Sequence, residues 1–479
     1  MKRYKHTLSN YRLQSGNMGQ LMPVACIPVL PGDTVQHHTS ALIRLSPLNT
    51  PVMHPVQVRI HHFFVPNRIV WPEWETFITG GEDGMDMSEI PTITTTAEKN
   101  TILHRLGVPA IAGVDVSALP VYAFNKIYNE FYRDQHLVTP RDDDNITIPH
   151  CAWEKDGFTS SRPWTQLGPD VTLPVGSTAP IKIASGAAGG NVLIRDDLDN
   201  QIDLHTDLSR LQRGTAFANG DELYADLAAA SAPSVNDFRA AFSLQRYQEA
   251  RARYGSRFTE YLRYLGITPS DARLQRPEYL GGGVSRLSFS EVLQTSPTPD
   301  RTEPDGRDEL GVGDMYGHGI AGTKTNKYRK FFEEHGYIIS ILSVRPKSVY
   351  VNGIPRDWLK TTKEDFFQKE LANLGQQPVY QAELYAENSR DTFGFQDRYH
   401  EYRWQPSQVL GDMTDVLNAW HLGRELQSNV TLNEDFITCD PSRRIFQITD
   451  ETVDSLWCMI NNHIVARRIV PKRANPRIL

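Results

Sequence analysis

The clearest pattern of hydrophobic and polar positions lies in residues 51–74, "PVMHPVQVRIHHFFVPNRIVWPEW". From Val56 to Phe64 every second residue is apolar or a histidine. The polar residues Gln57, Arg59 and His61 lie between the first four of these positions. Successive side chains of an extended chain point to opposite faces, so a period of two predicts a β-strand. Pro55 and Pro66 bracket the run at places where a strand tolerates a residue without an N–H. We therefore predict a strand between these two prolines.

The same stretch contains three histidines, which raises the question of a metal or catalytic site. His61 and His62 are adjacent in the predicted strand and point to opposite faces, and His54 lies beyond a proline. Such an arrangement does not easily place the imidazoles around one metal ion. We expect the histidines to be hydrogen-bonded inside a packed sheet, and we assign no metal ligands.

Strand-like alternation dominates two separated regions, from about residue 20 to 66 and from about 336 to 470, the latter beginning with "GYIISILSVRP". The segment between these regions is mixed in character. Residues 117–137 show helical spacing of large apolar side chains after Pro120. This pattern predicts a mainly β protein with helical segments inserted between its strands.

A second helical segment is predicted from Ser234, whose hydroxyl can cap the first turn, to Gly255, and a short one from about Ser256 to Gly266. One set of side chains recurs every three or four residues and reads as a core stripe: Tyr247, Ala250, Tyr254, Phe258, Tyr261 and Leu265. Five arginines interleave with it: Arg246, Arg251, Arg253, Arg257 and Arg263. We favour the interpretation that the arginines form a solvated helix face and that the aromatic stripe beneath it is buried. The alternative is a platform that binds single-stranded nucleic acid.

Motifs for catalysis or ion binding are weak. "GHGIAGTKT" (317–325) approaches a phosphate-binding loop, but Thr323 separates the last glycine from Lys324, so we interpret it as a flexible glycine-rich loop. "PRDDDNIT" (140–147) lacks EF-hand spacing and the distal glutamate. No GxSxG motif occurs. A carboxylate pair of the glycosidase type stays open, yet nothing singles one out, so we assign no catalytic residue and no cofactor.

Length does not decide the number of domains, since 479 residues suit either several domains or one large β-sandwich with insertions. The four cysteines, Cys26, Cys151, Cys439 and Cys458, show no CxxC pairing and are expected to be reduced and buried. The N-terminus lacks an apolar signal-type core, and nowhere do eighteen apolar residues run together. These features predict an unsecreted soluble protein made in a cytoplasm.

Charge is distributed unevenly along the chain. The net charge is −7, yet residues 1–32 and residues 460–479 contain no acid. We therefore predict basic terminal arms, residues 1–17 and 460–479, on an acidic body. Such arms are typical of nucleic-acid contacts, with ordinary solvated tails as the alternative. The candidate nucleic-acid-binding residues are Lys2, Arg3, Lys5, Arg12, Arg467, Arg468, Lys472, Arg473 and Arg477.

Several long blocks resemble the major capsid proteins of the Microviridae, in particular the gokushovirus-like branch. These blocks occur in the same order as in the family and are spread over most of the chain. They are residues 18–81 ("MGQLMPVACIPVLPGDTVQHH…"), 128–135 ("YNEFYRDQ"), 271–283 ("DARLQRPEYLGGG"), 334–346 ("EHGYIISILSVRP") and 393–411 ("FGFQDRYHEYRWQPSQVLG").

This resemblance implies an eight-stranded viral jelly-roll β-barrel with long, partly helical insertions, forming a single capsid domain over residues 1–479. It further implies a non-enzymatic protein that assembles through pentamers into a T=1 icosahedral shell around circular single-stranded DNA. The implied partners are copies of itself, an internal scaffolding protein, a small basic DNA-associated protein, a pilot protein and a bacterial surface receptor. The implied location is the virion, assembled in the host bacterial cytoplasm.

The family often carries a long insertion that forms protrusions at the threefold axes, and residues 178–220 are short for it. We expect this segment to be a surface insertion near that axis that takes part in host attachment. A carbohydrate-active or lectin-like β-sandwich protein is the alternative from another class. The aromatic content of 10% suits either.

Overall fold

The computed structural model describes residues 2–171, 235–295, 315–387 and 390–473, together with five short strands between residues 181 and 225. The chain divides into two compact units, a large one of residues 1–165 and 256–479 and a small one of residues 166–255. Nineteen strands are described: β1 (Tyr4–Thr7), β2 (Asn10–Gly16), β3 (Met22–Val29), β4 (Thr34–Leu45), β5 (Val56–Pro66), β6 (Thr92–Thr94), β7 (Asp115–Ser117), β8 (Ile181–Ala184), β9 (Leu193–Arg195), β10 (Gln201–Asp207), β11 (Arg210–Arg213), β12 (Glu222–Ala225), β13 (Glu278–Leu293), β14 (Met315–Lys324), β15 (Tyr328–Phe331), β16 (Gly336–Pro346), β17 (Gln376–Tyr380), β18 (Thr392–Asp397) and β19 (Leu456–Arg468).

The described helices are short apart from one in the small unit. They are α1 (Asn67–Val70), α2 (Trp74–Thr79), α3 (Ile102–Leu106), α4 (Leu119–Ile127), α5 (Val235–Tyr254), α6 (Phe258–Tyr264) and α7 (Glu434–Ile437). A π-helical turn, Tyr128–Tyr132, continues α4, and 3-10 turns occupy Arg356–Leu359, Lys363–Asp365, Lys369–Leu371, Gln381–Glu383, His400–Tyr402, Gly411–Thr414 and Asn418–Trp420. None of the helices in the described part of the chain is long and apolar enough to cross a membrane.

One curled antiparallel sheet dominates the large unit. Its eight main strands lie in the order β1-β19-β4-β14-β13-β5-β16-β3, while β2 also pairs with β19 and β15 also pairs with β4. Most neighbours in this order are distant in sequence, as in a jelly roll, where strands pair across long connections. The prediction of a mainly β jelly roll with partly helical insertions is confirmed.

Strand β5 is buried on both faces, which explains its sequence. Val58 and Ile60 point into the sheet's interior core. Phe63 points the other way and packs in a second core with Phe124 and Ile127 of α4. A strand covered on one face alone would alternate throughout, whereas this one becomes continuously apolar where the helix covers it. The predicted strand 56–66 and the helix after Pro120 are both confirmed.

The histidines of β5 are hydrogen-bonded within the sheet, as expected. His62 lies between the Ser340 hydroxyl, 2.7 Å from Nδ1, and the Thr325 hydroxyl, 3.0 Å from Nε2. His61 Nδ1 lies 2.9 Å from the Tyr132 hydroxyl on the opposite face. Burial lowers the pKa of His61 to about 4 and that of His62 well below its usual range. Both rings are therefore neutral, packed side chains.

The interpretation of residues 317–325 as a flexible loop is wrong, because Met315–Lys324 is strand β14 in the middle of the sheet. Its glycines serve close packing. A Cβ on Gly317 would lie 2.2 Å from the Thr50 carbonyl oxygen, and one on Gly319 would lie 2.4 Å from Leu45 Cδ1. Glycine is required here by neighbouring atoms rather than by loop mobility.

Strand character does not extend through residues 336–470 as predicted. Strands β16 and β19 bound this region, and between them lie mainly 3-10 turns, the short pair β17–β18 and α7. A separate core holds these turns together, formed by the buried side chains of Val138, Phe158, Tyr350, Val379, Leu384, Phe393, Phe436 and Ile437. Short apolar runs of this region pack into the separate core without forming part of a sheet. Local periodicity alone cannot distinguish such runs from strands.

The cysteines agree with the prediction of reduced thiols. All four are free; Cys151, Cys439 and Cys458 are buried and Cys26 is half-buried.

Loop 140–147 is closed by hydrogen bonds of the chain itself, since Asn125 Nδ2 donates to the carbonyls of Asp143 and Asn145 at 2.8 Å. Among the described residues, no group of three or more His, Cys, Asp or Glu side chains is arranged to hold a metal ion.

Candidate nucleic-acid interface

The two ends of the chain meet as neighbouring strands. β1 pairs with β19 so that Lys5 lies opposite Arg467 and Tyr4 lies opposite Arg468, and β2 continues along the same side of β19. The basic segments predicted as separate arms are therefore, for most of their described length, strands at one edge of the sheet. Pairing brings cations from positions more than 450 residues apart onto one surface.

Two of the candidate residues have structural partners. Arg468 Nη2 donates to the buried Asp33 carboxylate at 2.8 Å and to the Pro28 carbonyl at 3.2 Å. Arg12 donates to the carbonyls of Arg105 and Leu106 at 3.1 and 3.3 Å, and burial lowers its pKa. These contacts occupy donors that a phosphate would need. Arg12 and Arg468 therefore stabilise the sheet edge.

Six other candidates are exposed: Lys2, Arg3, Lys5, Arg467, Lys472 and Arg473. The Arg3 guanidinium lies 4.9 Å from the centre of the Phe331 ring, and the Lys2 ammonium lies 5.6 Å from that of Tyr4. Arg477 lies outside the described residues. The sheet edge thus presents Lys2, Arg3, Lys5 and Arg467, with Lys472 and Arg473 following β19.

The exposed side of the sheet next to this edge carries further cations. We define the outer sheet face as the solvent-side positions of five strands: Lys5 and Thr7 of β1; Trp457, Met459, Asn461, His463, Val465 and Arg467 of β19; Thr34, Gln36, His38, Ser40, Leu42 and Arg44 of β4; Tyr316, His318, Ile320, Gly322 and Lys324 of β14; and Arg329 and Phe331 of β15. None of these 21 positions is Asp or Glu.

Two histidines of the outer sheet face lie against each other. His38 stacks on His463 with ring centres 4.8 Å apart. Burial lowers the pKa of His38, and electrostatic interaction with His463, Lys324 and Lys327 lowers it further. Sequence reasoning missed Arg44, Lys324, Lys327 and Arg329, because their relation to the terminal charges exists only through strand pairing.

Aromatic side chains accompany these cations. Trp457 is 45% exposed and, with Leu13, Leu42 and Met459, lines a shallow depression of about 440 Å³ beside Arg44. Exposed rings among cations can stack bases while the cations bind phosphates. This arrangement has the chemistry of a single-stranded nucleic-acid surface.

The arginine-rich helical segment differs from its prediction. Helices α5 and α6 form close to the predicted positions, but the proposed core stripe is largely exposed: Tyr247 is 47%, Phe258 61% and Tyr261 43% accessible. The buried side of α5 is instead formed by Gln248 and Ala252. The prediction of a buried core stripe is therefore wrong, because tertiary packing buries a different side of the helix.

The jelly-roll fold is compatible with two classes of protein, viral shell proteins and lectin-type domains. Comparison with known proteins decides between these two classes. The model of the family described as "Capsid protein (F protein)" matches residues 1–476. The chain belongs to this capsid protein family. It is 33% identical over 467 residues to capsid protein VP1 of Bdellovibrio phage phiMH2K, covering 90% of this chain and 86% of that protein.

Two further relatives agree. Capsid protein VP1 of Spiroplasma virus 4 is 30% identical over 472 residues, covering 88% of this chain and 84% of the relative. Capsid protein VP1 of Chlamydia phage 1 is 29% identical over 540 residues, covering 91% and 89%. The resemblance to Microviridae capsid proteins is confirmed, and the lectin-like alternative finds no support. Membership implies a virion component that assembles with copies of itself.

Proposed function

We propose that this chain forms, through pentamers, a T=1 icosahedral shell around circular single-stranded DNA, and that it acts without catalysis. Assembly takes place in the cytoplasm of a bacterial host with an internal scaffolding protein, a small basic DNA-associated protein and a pilot protein. The shell then recognises a bacterial surface receptor. Membership of the capsid family supports this proposal, and the outer sheet face supplies a surface for the genome.

The observation that carries the genome contact is the absence of carboxylates from the outer sheet face. Acids make up 57 of the chain's 479 residues and the net charge is −7. A 21-position surface without a single acid, holding Lys5, Arg44, Lys324, Arg329 and Arg467, is therefore a local reversal of the chain's charge. Phosphate binding requires such a reversal, since a carboxylate within the surface would repel the DNA backbone.

The test removes four of these charges and measures DNA binding. The variant carries Lys5→Gln, Lys324→Gln, Arg329→Gln and Arg467→Gln. Each phosphate contact contributes about −0.7 to the slope of log affinity against log salt for single strands, so losing four should flatten this slope by about 3. Binding of a fluorescent oligonucleotide to the purified protein at several salt concentrations gives the slope.

A matched control removes four exposed charges elsewhere in the large unit: Lys99, Lys363, Lys369 and Arg273, each to Gln. The control changes the net charge by the same amount as the first variant. It therefore distinguishes DNA binding at the outer sheet face from a general electrostatic attraction between DNA and the protein. The proposed interface requires the first variant to lose slope and the control to keep it. Equal slopes for both variants would contradict it.

Residues 178–220 are proposed as the surface insertion that carries host attachment. Most of the segment lies outside the described residues; the short strands β8 to β11 fall within it. Gly, Ala and Asp supply 16 of its 43 residues, which suits a surface excursion better than a core.

A further inference from the structure

Helix α5 exposes an apolar stripe framed by cations. Val235, Phe238 and Phe242 follow one another at intervals of three and four residues and are 68%, 36% and 63% exposed. This spacing places them on one side of the helix. Arg239 and Arg246 lie beside the stripe and are also exposed. The stripe has the i, i+3, i+7 form of helices that dock on a partner.

An exposed segment elsewhere in the chain has the opposite charge. Residues 73–89, "EWETFITGGEDGMDMSE", contain six acids and no Lys or Arg. In the part we call the acidic methionine loop, residues 82–89, Met85 is 77% and Met87 92% exposed. Four exposed carboxylates surround these methionines: Glu82, Asp83, Asp86 and Glu89.

The two surfaces match in both polarity and charge. Each has apolar side chains at its centre and charged side chains at its rim, which is the usual anatomy of a protein interface. Methionine sulfur makes favourable contacts with aromatic rings, so Met85 and Met87 suit Phe238 and Phe242. Arginine binds carboxylates with two parallel hydrogen bonds, so Arg239 and Arg246 suit the acids of the loop.

We propose that residues 235–246 of one copy bind the acidic methionine loop of a second copy. The occupant is another copy because the complementary surface belongs to the same chain, and because the family builds shells from many copies. The contact is heterologous, joining two different patches, so each copy offers one patch to each of two neighbours. Such a contact propagates around a ring or shell, and it rests on the proposed assembly.

Charge reversal tests the contact. One variant carries Arg239→Glu and Arg246→Glu, and the other carries Glu82→Lys and Asp86→Lys. Each alone places like charges together and should lower the particle fraction in sedimentation velocity by about tenfold. All four changes in one chain restore opposite charges and should return the fraction to within about threefold of the unaltered protein. A matched control, Arg251→Glu with Arg263→Glu, should assemble normally.

Cross-linking locates the contact. Copies with Phe242→Cys and differently tagged copies with Met87→Cys are co-assembled and treated with a short bismaleimide. A dimer carrying both tags supports the proposal, whereas Ile111→Cys in place of Met87→Cys should give none. The unaltered chain, whose cysteines are buried or half-buried, is the blank.

The outcomes separate this contact from the proposed shell. Normal particles without the mixed dimer, or a failure of the combined charge reversal to restore assembly, would overturn the contact and leave the shell intact. Failure of the unaltered protein to form any particle, even together with its scaffolding protein, would defeat the proposed shell itself.

Discussion

Acidification should destabilise the fold through its buried histidines. His37 is fully buried, with Nδ1 3.0 Å from the Tyr328 hydroxyl and Nε2 3.1 Å from the Thr39 hydroxyl. His54 is buried with Nε2 2.8 Å from the Lys347 carbonyl oxygen. Burial lowers the pKa of both from 6.5 to about 4. Below pH 6.5 the unfolded chain therefore binds protons that the folded chain does not, and the free energy of unfolding falls.

The size of this effect follows from the two pKa values. A histidine that titrates at 6.5 when unfolded and near 4 when folded lowers the free energy of unfolding by about 2 kcal/mol between pH 7 and pH 5. His37 and His54 together give about 4 kcal/mol, a large part of the roughly 5–15 kcal/mol that stabilises a typical domain. The lowered pKa values of His61 and His62 act in the same direction.

Urea unfolding of the unassembled chain at pH 7.5, 7, 6 and 5 measures the loss. His37→Gln removes one titrating ring, so its loss between pH 7 and 5 should be smaller by about 2 kcal/mol, even if the variant is less stable at every pH. Ile338→Val, which removes only a buried methyl group, should keep the full loss. A pH-independent free energy of unfolding, or an undiminished loss in His37→Gln, would refute the reasoning.

Three further predictions concern the ion pair of Arg468, the packing of Gly317 and the segment 178–220. Arg468→Gln should lower the free energy of unfolding by about 3 kcal/mol, because it removes the cationic partner of the buried Asp33 carboxylate, which retains the hydrogen bond from the Leu30 N–H. Arg467→Gln should instead weaken DNA binding and leave the melting temperature unchanged; the reverse result for the two variants would contradict the different roles assigned to these neighbours. Gly317→Ala should cost about 1–3 kcal/mol in urea unfolding, since its Cβ meets the Thr50 carbonyl oxygen at 2.2 Å, and an unchanged stability would show that the chain shifts freely there. Shortening residues 178–220 should leave particles intact, because halving a loop alters the free energy of loop closure by only ~0.6 kcal/mol. The same deletion should reduce attachment to the host. Loss of particles from a subunit that still folds would instead indicate that the segment holds neighbouring subunits together during assembly.

Several features were determined by the sequence alone because their signals are local. The alternation of residues 56–66 defined β5, and its histidines packed as predicted. Helical spacing defined α4 and α5. The long blocks shared with Microviridae capsid proteins identified the family, which the match over residues 1–476 confirms.

Tertiary structure decided which of these local patterns share a surface. Period two shows that Arg467 and Arg468 point to opposite sides of a strand, but only packing makes one solvent-exposed and the other a partner of Asp33. The glycines of β14 signalled a loop locally, and their role appears only through atoms of Thr50 and Leu45. The outer sheet face likewise exists only because β1, β19, β4, β14 and β15 pair across the chain. Distances along a sequence carry no information about such pairing, since register and face are set by burial of the whole sheet.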